Sequence, residues 1–442
     1  MRKKTLHLKL ALFLVLLVVS TQLFAAGAQE KTGKPKIVVF TLKSSGQLND
    51  AFEAFLTSVS TELGFDFSVR YKGDNASEYL AKIQTAIAEG FKGIITMKDE
   101  GNTNEIVALC EENEVYFGNI WNNQGSSLNA SSGGFNFLNS PYFVGGLTDC
   151  EDSMASEAAA YTSAVAKAYE TLPANQKPGS IGFVTMPPAW QPNQVSACEA
   201  MYQTLKTTYK IPETAFATNG IAKRAEQQMV GGTPVPAGSY IWPSMDITSK
   251  KLESKYFDQN PNLQLLISTL AYSFINPALD SANKLASMNV WVTGFDNEPA
   301  LINNFGTKGN MTYQGSRTAP IESLAMPLVQ ILDNLAGNAY PDKEAAMAEF
   351  KTITNANKFR LRNLQLHASP TMVIIDDAGM DAYLNHNVYG TAKGSDSLID
   401  AATLKNLMVT YNSKATYADL VKTFTTNSSI ISMEKVLEHA KQ

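Results

Sequence analysis

The run Lys36-Ile-Val-Val-Phe-Thr-Leu42 decides the fold. It is apolar and β-branched without alternating with polar residues, which is the pattern of a strand buried on both faces of a parallel sheet. The sequence on its carboxyl side keeps to that reading. An amphipathic stretch covers residues 50–63, a second strand 65–71, and helical spacing returns at Leu80, Ile83 and Ile87. Gly90 and Gly93 bracket a turn before the short buried strand Gly93-Ile-Ile-Thr-Met97, followed by a helix over 102–113 and a strand over 115–120. Strands alternating with helices in this way predict a doubly wound α/β lobe.

A second series follows a Gly/Ser/Asn-rich passage at 124–134 and the turn-rich segment 139–146. Helices are expected over 152–170, 193–209 and 277–287, and strands over 180–185, 263–269 and 290–294. That makes two doubly wound parallel-sheet lobes. Residues 231–238, rich in Pro and Gly, read as a loop, and the region after Tyr340 mixes two short strands with polar helices. No internal repeat of 20–50 residues is visible.

The amino terminus predicts where the chain works. Arg2, Lys3 and Lys4 precede an apolar run from Leu8 to Val19 broken only by Lys9, and Ala26-Gly27-Ala28 forms a small-x-small site before Gln29. This is the pattern of a secretory signal peptide over residues 1–28, cleaved after Ala28, which predicts export to the periplasm. Its apolar core is shorter than the roughly 20 residues of a bilayer crossing. No Cys follows the run, so an acyl anchor is not expected.

Of the 442 residues, 36 are basic and 41 acidic, and the leader takes four basic residues with it, which leaves the mature chain at −9. Such a surface repels phosphate backbones and anionic membranes, and no basic patch with interleaved aromatics appears. Nucleic acid is therefore not an expected partner. Three Cys exclude a disulfide framework. Cys110 and Cys198 read as core thiols, while a Cys110–Cys150 bridge stays open because sequence does not give a Cα separation.

Catalytic motifs are missing. His367, His386 and His439 are the only mature histidines, at spacings that suit neither a metal nor a nucleophile triad, and no G-x-G-x-x-G or Gly-rich Lys loop occurs. Neither an enzyme nor a cofactor is expected. A secreted glycosidase needs only two carboxylates, but no pair stands out.

Further motifs resemble a known family. Tyr71-Lys-Gly-Asp-Asn75, the helix reaching Gly90, and Gly93-Ile-Ile-Thr96 look like the first domain of type I periplasmic sugar-binding proteins, the ribose/galactose-type receptors of ABC importers. Val292-Thr-Gly-Phe-Asp296, with Pro299 three residues on and Thr312-Tyr-Gln314 after it, resembles that family's Gly-Phe-Asp and strand-borne Gln signatures. The resemblance covers residues 36–337. It implies two lobes joined by a three-strand hinge, residues 35–146 with 315–368 and residues 147–314 with 369–442, closing on a small sugar or related polyhydroxylated ligand. It also implies a monomer that hands its ligand to an ABC transporter permease. A sensor role, feeding a chemoreceptor or a sensor kinase, uses the same fold and remains the alternative.

Site residues follow from the resemblance together with sugar chemistry, since hydroxyls take planar polar partners and C–H faces take rings. In the first loop Asn49 or Asp50 and Phe52 inherit the contacts. Asp50 reads equally as a helix N-cap, and Phe52 equally as core. Lys98 and Asp99 follow the third strand, as either cleft residues or solvated loop. Trp121 and Asn122 stand where the family often has Asp-Arg, a departure that moves the ligand away from ribose or galactose themselves. From the second lobe come Trp190 and Gln191, then Tyr272 or Phe274, where the family carries Asn. Asp296 ends an apolar strand, where an uncompensated carboxylate is costly unless hydrogen-bonded, and it reads otherwise as an N-cap for 298–305. Gln314 lies on the predicted crossing strand, facing ligand or stitching hinge backbone.

Overall fold

Alternate residues of Lys36–Thr41 (β1) enter two different cores, which is why this strand carries no polar face. Ile37 and Val39 lie in one buried cluster and Val38 and Phe40 in another. In the computed structural model the described residues are 33–97, 101–120, 140–147, 169–170, 179–185, 192–217, 240–241, 254–268, 272–281, 287–292, 303–317, 320–345, 366–367, 371–374, 376–386, 399–424, 434, 437–438 and 441. After β1 come Gln47–Leu63 (α1), Asp66–Tyr71 (β2), Ala76–Ala88 (α2), Gly93–Met97 (β3), Thr103–Glu112 (α3), Tyr116–Ile120 (β4) and Phe143–Leu147 (β5). Then follow Ile181–Thr185 (β6), Pro192–Thr207 (α4), Tyr240–Ile241 (β7), Ser254–Gln259 (α5), Leu265–Ser268 (β8), Tyr272–Ser281 (α6), Asn289–Val292 (β9) and Met311–Arg317 (β10). Pro320–Leu335 (α7), Leu366–His367 (β11), Thr371–Ile374 (β12), Asp377–His386 (α8), Ala401–Leu407 (α9) and Tyr417–Phe424 (α10) complete the chain.

Two six-stranded sheets result, ordered β2-β1-β3-β4-β5-β11 and β7-β6-β8-β9-β10-β12. The first is parallel throughout, and in the second only β12 runs antiparallel, against β10. The chain passes between the two lobes four times: after β5, between Arg317 of β10 and Pro320 of α7, between His367 of β11 and Thr371 of β12, and between His386 of α8 and Ile399.

Helices cover both faces of each sheet. Phe52, Phe55, Leu56 and Val59 of α1 and Leu324, Leu328 and Ile331 of α7 lie with Ile37, Val39 and Ile95. Tyr79, Ile83 and Ala86 of α2 and Ile106, Val107 and Cys110 of α3 cover Val38, Phe40 and Ile94. In the second sheet Met201, Tyr202 and Leu205 of α4 bury Ile181, Phe183 and Trp291.

The structure departs from the sequence reading in several places. Residues 143–147, read as part of a turn-rich segment, form β5. Its glycines are there for closeness: Gly145 has φ +85°, and a Cβ on Gly146 would meet the backbone carbonyl of Asn119. Helix α6 starts at Tyr272 and keeps Pro277 inside it, because Ile275 and Leu279 gain burial on the same face. Cys110 is a free buried thiol, in keeping with its reading as a core residue, and burial pushes its pKa up to about 12; Cys150 lies outside the described residues.

Residues 399–424 were expected in the second lobe but pack on α1 and α7 of the first. An apolar set, Ile399, Leu404, Leu407, Met408, Tyr417, Leu420 and Phe424, is buried there. Polar ties fix the register. Asp333 is itself buried, and it accepts from Val409 N at 2.8 Å, Thr410 N at 2.9 Å and Thr410 Oγ1 at 2.6 Å. Burial raises its carboxyl pKa, and these bonds offset only part of that rise. Asp342 caps α10 by accepting from Tyr417 N at 2.7 Å, and Tyr340 donates to Leu407 O at 2.7 Å. Among the described residues no helix is long and apolar enough to cross a membrane.

Candidate functional site

In an open parallel sheet the crevice for a ligand lies beyond the carboxyl ends of the strands, where successive helices leave for opposite faces. In the first sheet that point falls between β1 and β3, because α1 covers one face and α3 the other. The helix starts there differ. Asn75 caps α2 by accepting from Glu78 N at 3.0 Å, and Glu78 Oε2 accepts from Asp74 N at 3.1 Å. Neither Gly46 before α1 nor Asn102 before α3 supplies a side-chain cap. These two starts flank the crevice.

Polar side chains replace apolar ones near the carboxyl ends of these strands. Thr41 on β1, Thr96 on β3 and Asn119 on β4 are buried, as are Thr185 on β6 and Ser268 on β8 of the second sheet. Thr96 and Asn119 are register partners on one face. The Asn119 Oδ1 has no hydrogen-bond partner among the described residues, a condition that costs about 1–3 kcal/mol in a closed interior. A ligand hydroxyl is the kind of donor that atom lacks.

Chain length brings the two edges together. The β11–β12 crossing leaves the carboxyl end of β11 and, because β12 is antiparallel to β10, arrives beside the carboxyl end of β10. His367 to Thr371 spans at most about 14 Å and Arg317 to Pro320 at most about 11 Å. Both carboxyl edges therefore border one space.

The residues expected in this site fare differently. Asn49 is buried and committed inward, donating from Nδ2 to Thr41 Oγ1 at 3.1 Å and to Lys43 O at 3.1 Å, so it shapes the first loop. Asp50 is exposed in the first turn of α1 and is not the cap, a position held by Gly46 at φ 132°. Phe52 is fully buried in the α1 core, the second of its two readings, because its position in α1 turns it onto the sheet. Tyr272 heads α6, beyond the end of β8. Gln314 sits in β10, between Val292 of β9 and Ile374 of β12. Lys98, Asp99, Trp121, Asn122, Trp190, Gln191 and Asp296 lie outside the described residues. Sequence reading passed over Thr41, Thr96, Asn119, Thr185 and Ser268. Their signal was present, a single polar residue at or next to the end of an otherwise apolar strand.

No protein-family model matches the chain, and no curated protein matches it. Solved structures do. GanP, a glucose-galactose binding protein from Geobacillus stearothermophilus, is 11% identical over 78% of this chain and 98% of its own, with a TM-score of 0.47. An ABC transporter periplasmic solute binding protein from Actinobacillus succinogenes, with bound D-allose, is 12% identical over 78% and 98%, with a TM-score of 0.46. A substrate-binding protein of a sugar ABC transport system from Bordetella parapertussis is 11% identical over 83% and 93%, also at 0.46. The strand order, the crossings and the polar edges described above rest on this chain's own backbone and residues.

Proposed function

We propose that the chain is an exported solute-binding protein that captures a small sugar or related polyhydroxylated ligand between its lobes and delivers it to an ABC importer. One observation carries this reading: two parallel sheets whose carboxyl edges are tied by crossings of a few residues, with buried polar side chains at both edges and two helix starts without side-chain caps at one. Neutral donors and acceptors suit hydroxyl groups. In this proposal Trp121 and Trp190 supply stacking planes, and Asp296 accepts from two vicinal hydroxyls.

Mass spectrometry of ligand released from the purified chain identifies the compound, and titration calorimetry with it tests the site. Asp296→Asn exchanges a double acceptor for a group that must donate on one side, and is expected to weaken binding by roughly 2–3 kcal/mol with the melting temperature unchanged. Unaltered affinity removes Asp296 from the site. Turnover of chromogenic glycosides in place of stoichiometric binding overturns the proposal.

A further inference from the structure

Among the described residues the outer edge of the first sheet is open. Asp66 N donates to Pro35 O at 2.9 Å and Lys72 N to Thr41 O at 3.0 Å, so even-numbered residues of β2 turn their amides toward β1. Phe67 and Val69 turn theirs the other way. Among the described residues no strand pairs with that side of β2, and residues 67–70 are partly exposed. Farther along, Tyr71 O already accepts from Lys82 Nζ at 2.9 Å, which closes the edge at its carboxyl end. The open part is Asp66-Phe67-Ser68-Val69-Arg70.

This pentapeptide is complementary to itself. An antiparallel copy centred on Ser68 sets Asp66 opposite Arg70, Phe67 opposite Val69, and Ser68 opposite Ser68. The parity is right, since Phe67 and Val69, whose N–H and C=O groups point outward, become the hydrogen-bonded pairs. Opposite charges and an aromatic beside a β-branched residue are favourable cross-strand pairs. Asp66 is exposed, and its carboxylate has no partner among the described residues. Arg70 is held extended: Nη2 meets Glu89 Oε2 at 2.6 Å, Nε donates to Ser68 Oγ at 3.1 Å, and the guanidinium lies 4.8 Å from the Phe91 ring centre. Its Nη1 is left to face a second chain.

We infer that β2 is a self-pairing edge through which two copies of this chain form an isologous dimer with one continuous sheet. A two-fold contact of this kind is closed, so it ends at two chains and does not propagate into fibres. The strand is short for a standard interface, so association is weak and concentration-dependent. This departs from the monomer expected from sequence.

Sedimentation velocity on the chain without its leader, over a range of concentrations, should show a monomer–dimer equilibrium. Asp66→Arg alone and Arg70→Asp alone should each abolish it, because each sets like charges opposite one another. An equimolar mixture of the two variants should restore it as a heterodimer, since one edge is then all basic and the other all acidic. Ser68→Cys places the two thiols across the dyad and should give a disulfide-linked dimer under mild oxidation that the unsubstituted chain does not give. A chain that stays monomeric throughout without the Ser68→Cys cross-link, or a dimer indifferent to both charge variants, overturns the inference.

Discussion

Lys343 is the residue whose surroundings most change its chemistry. Its Nζ donates to Gln330 Oε1 at 2.9 Å and lies 5.4 Å from the Tyr417 ring centre, while the neighbouring Asp342 is spent on capping α10. The residue keeps part of its surface in water, but its ammonium end is enclosed, and burial lowers its pKa from 10.5 to about 8. The folded chain thus holds this proton less tightly than the unfolded one. Stability should rise as pH climbs from about 8 toward 10.5, and below pH 8 the whole cost of burying the charge is present. Lys343→Met is expected to remove that slope and to stabilise the chain at pH 7 by at most roughly 3 kcal/mol. Denaturant unfolding at pH 7, 9 and 10 reads both effects, and an identical slope in the variant would mean the ammonium is solvated. The charge was visible in sequence, but its enclosure was not, because Gln330 and Tyr417 come from helices far apart along the chain.

At the scale of the element, α7 lies against the first sheet because two strand residues lack side chains. A Cβ on Gly93 would stand 2.5 Å from Ile331 Cγ2 and Ile37 Cδ1, and one on Gly118 would stand 2.6 Å from Pro327 Cβ. Gly93→Ala should therefore push the helix off β3 and cost about 1–3 kcal/mol through overpacking. Ligand affinity should be unchanged, since the clash is on the α7 face of the sheet. A thermal melt at the unsubstituted value would mean that α7 shifts without cost. Read in sequence, Gly93 marked a turn and the start of a strand; its role in packing depends on a helix more than 200 residues later. β1 to β4, β6, β8 and β9 were legible to within about two residues, whereas β7 was not read at all. β5 was not legible either, because the glycines that permit its close approach to β4 are the residues that signal turns.

At the scale of the whole molecule, the C-terminal helices belong to the lobe the chain first builds. A chain ending at residue 398 loses the apolar set from Ile399 to Phe424, and Asp333 and Tyr340 lose their partners on 407–410. Calorimetry should then show the first lobe melting lower by on the order of 10 °C or more, with the second lobe's transition in place. A single unshifted transition would show that α9 and α10 add nothing to the first lobe.

Local pattern was enough to determine the alternation of strands and helices, the parallel character of the sheets and the division into two lobes, because these depend on periodicity and on runs of a few residues. The same pattern put Thr41, Thr96 and Asn119 at strand ends, in plain view, although their meaning was not. Only the tertiary structure decided that Phe52 faces the core, that Asn49 is used up within the first loop, and that the last helices return to the first lobe. Each of these depends on which distant surface a side chain meets, and a helical stripe such as that of α1 is equally apolar whichever partner it finds. The edge of β2 shows the same division. Its charges and their spacing are written in five residues, but only the sheet order leaves that strand outermost and turns them into a surface.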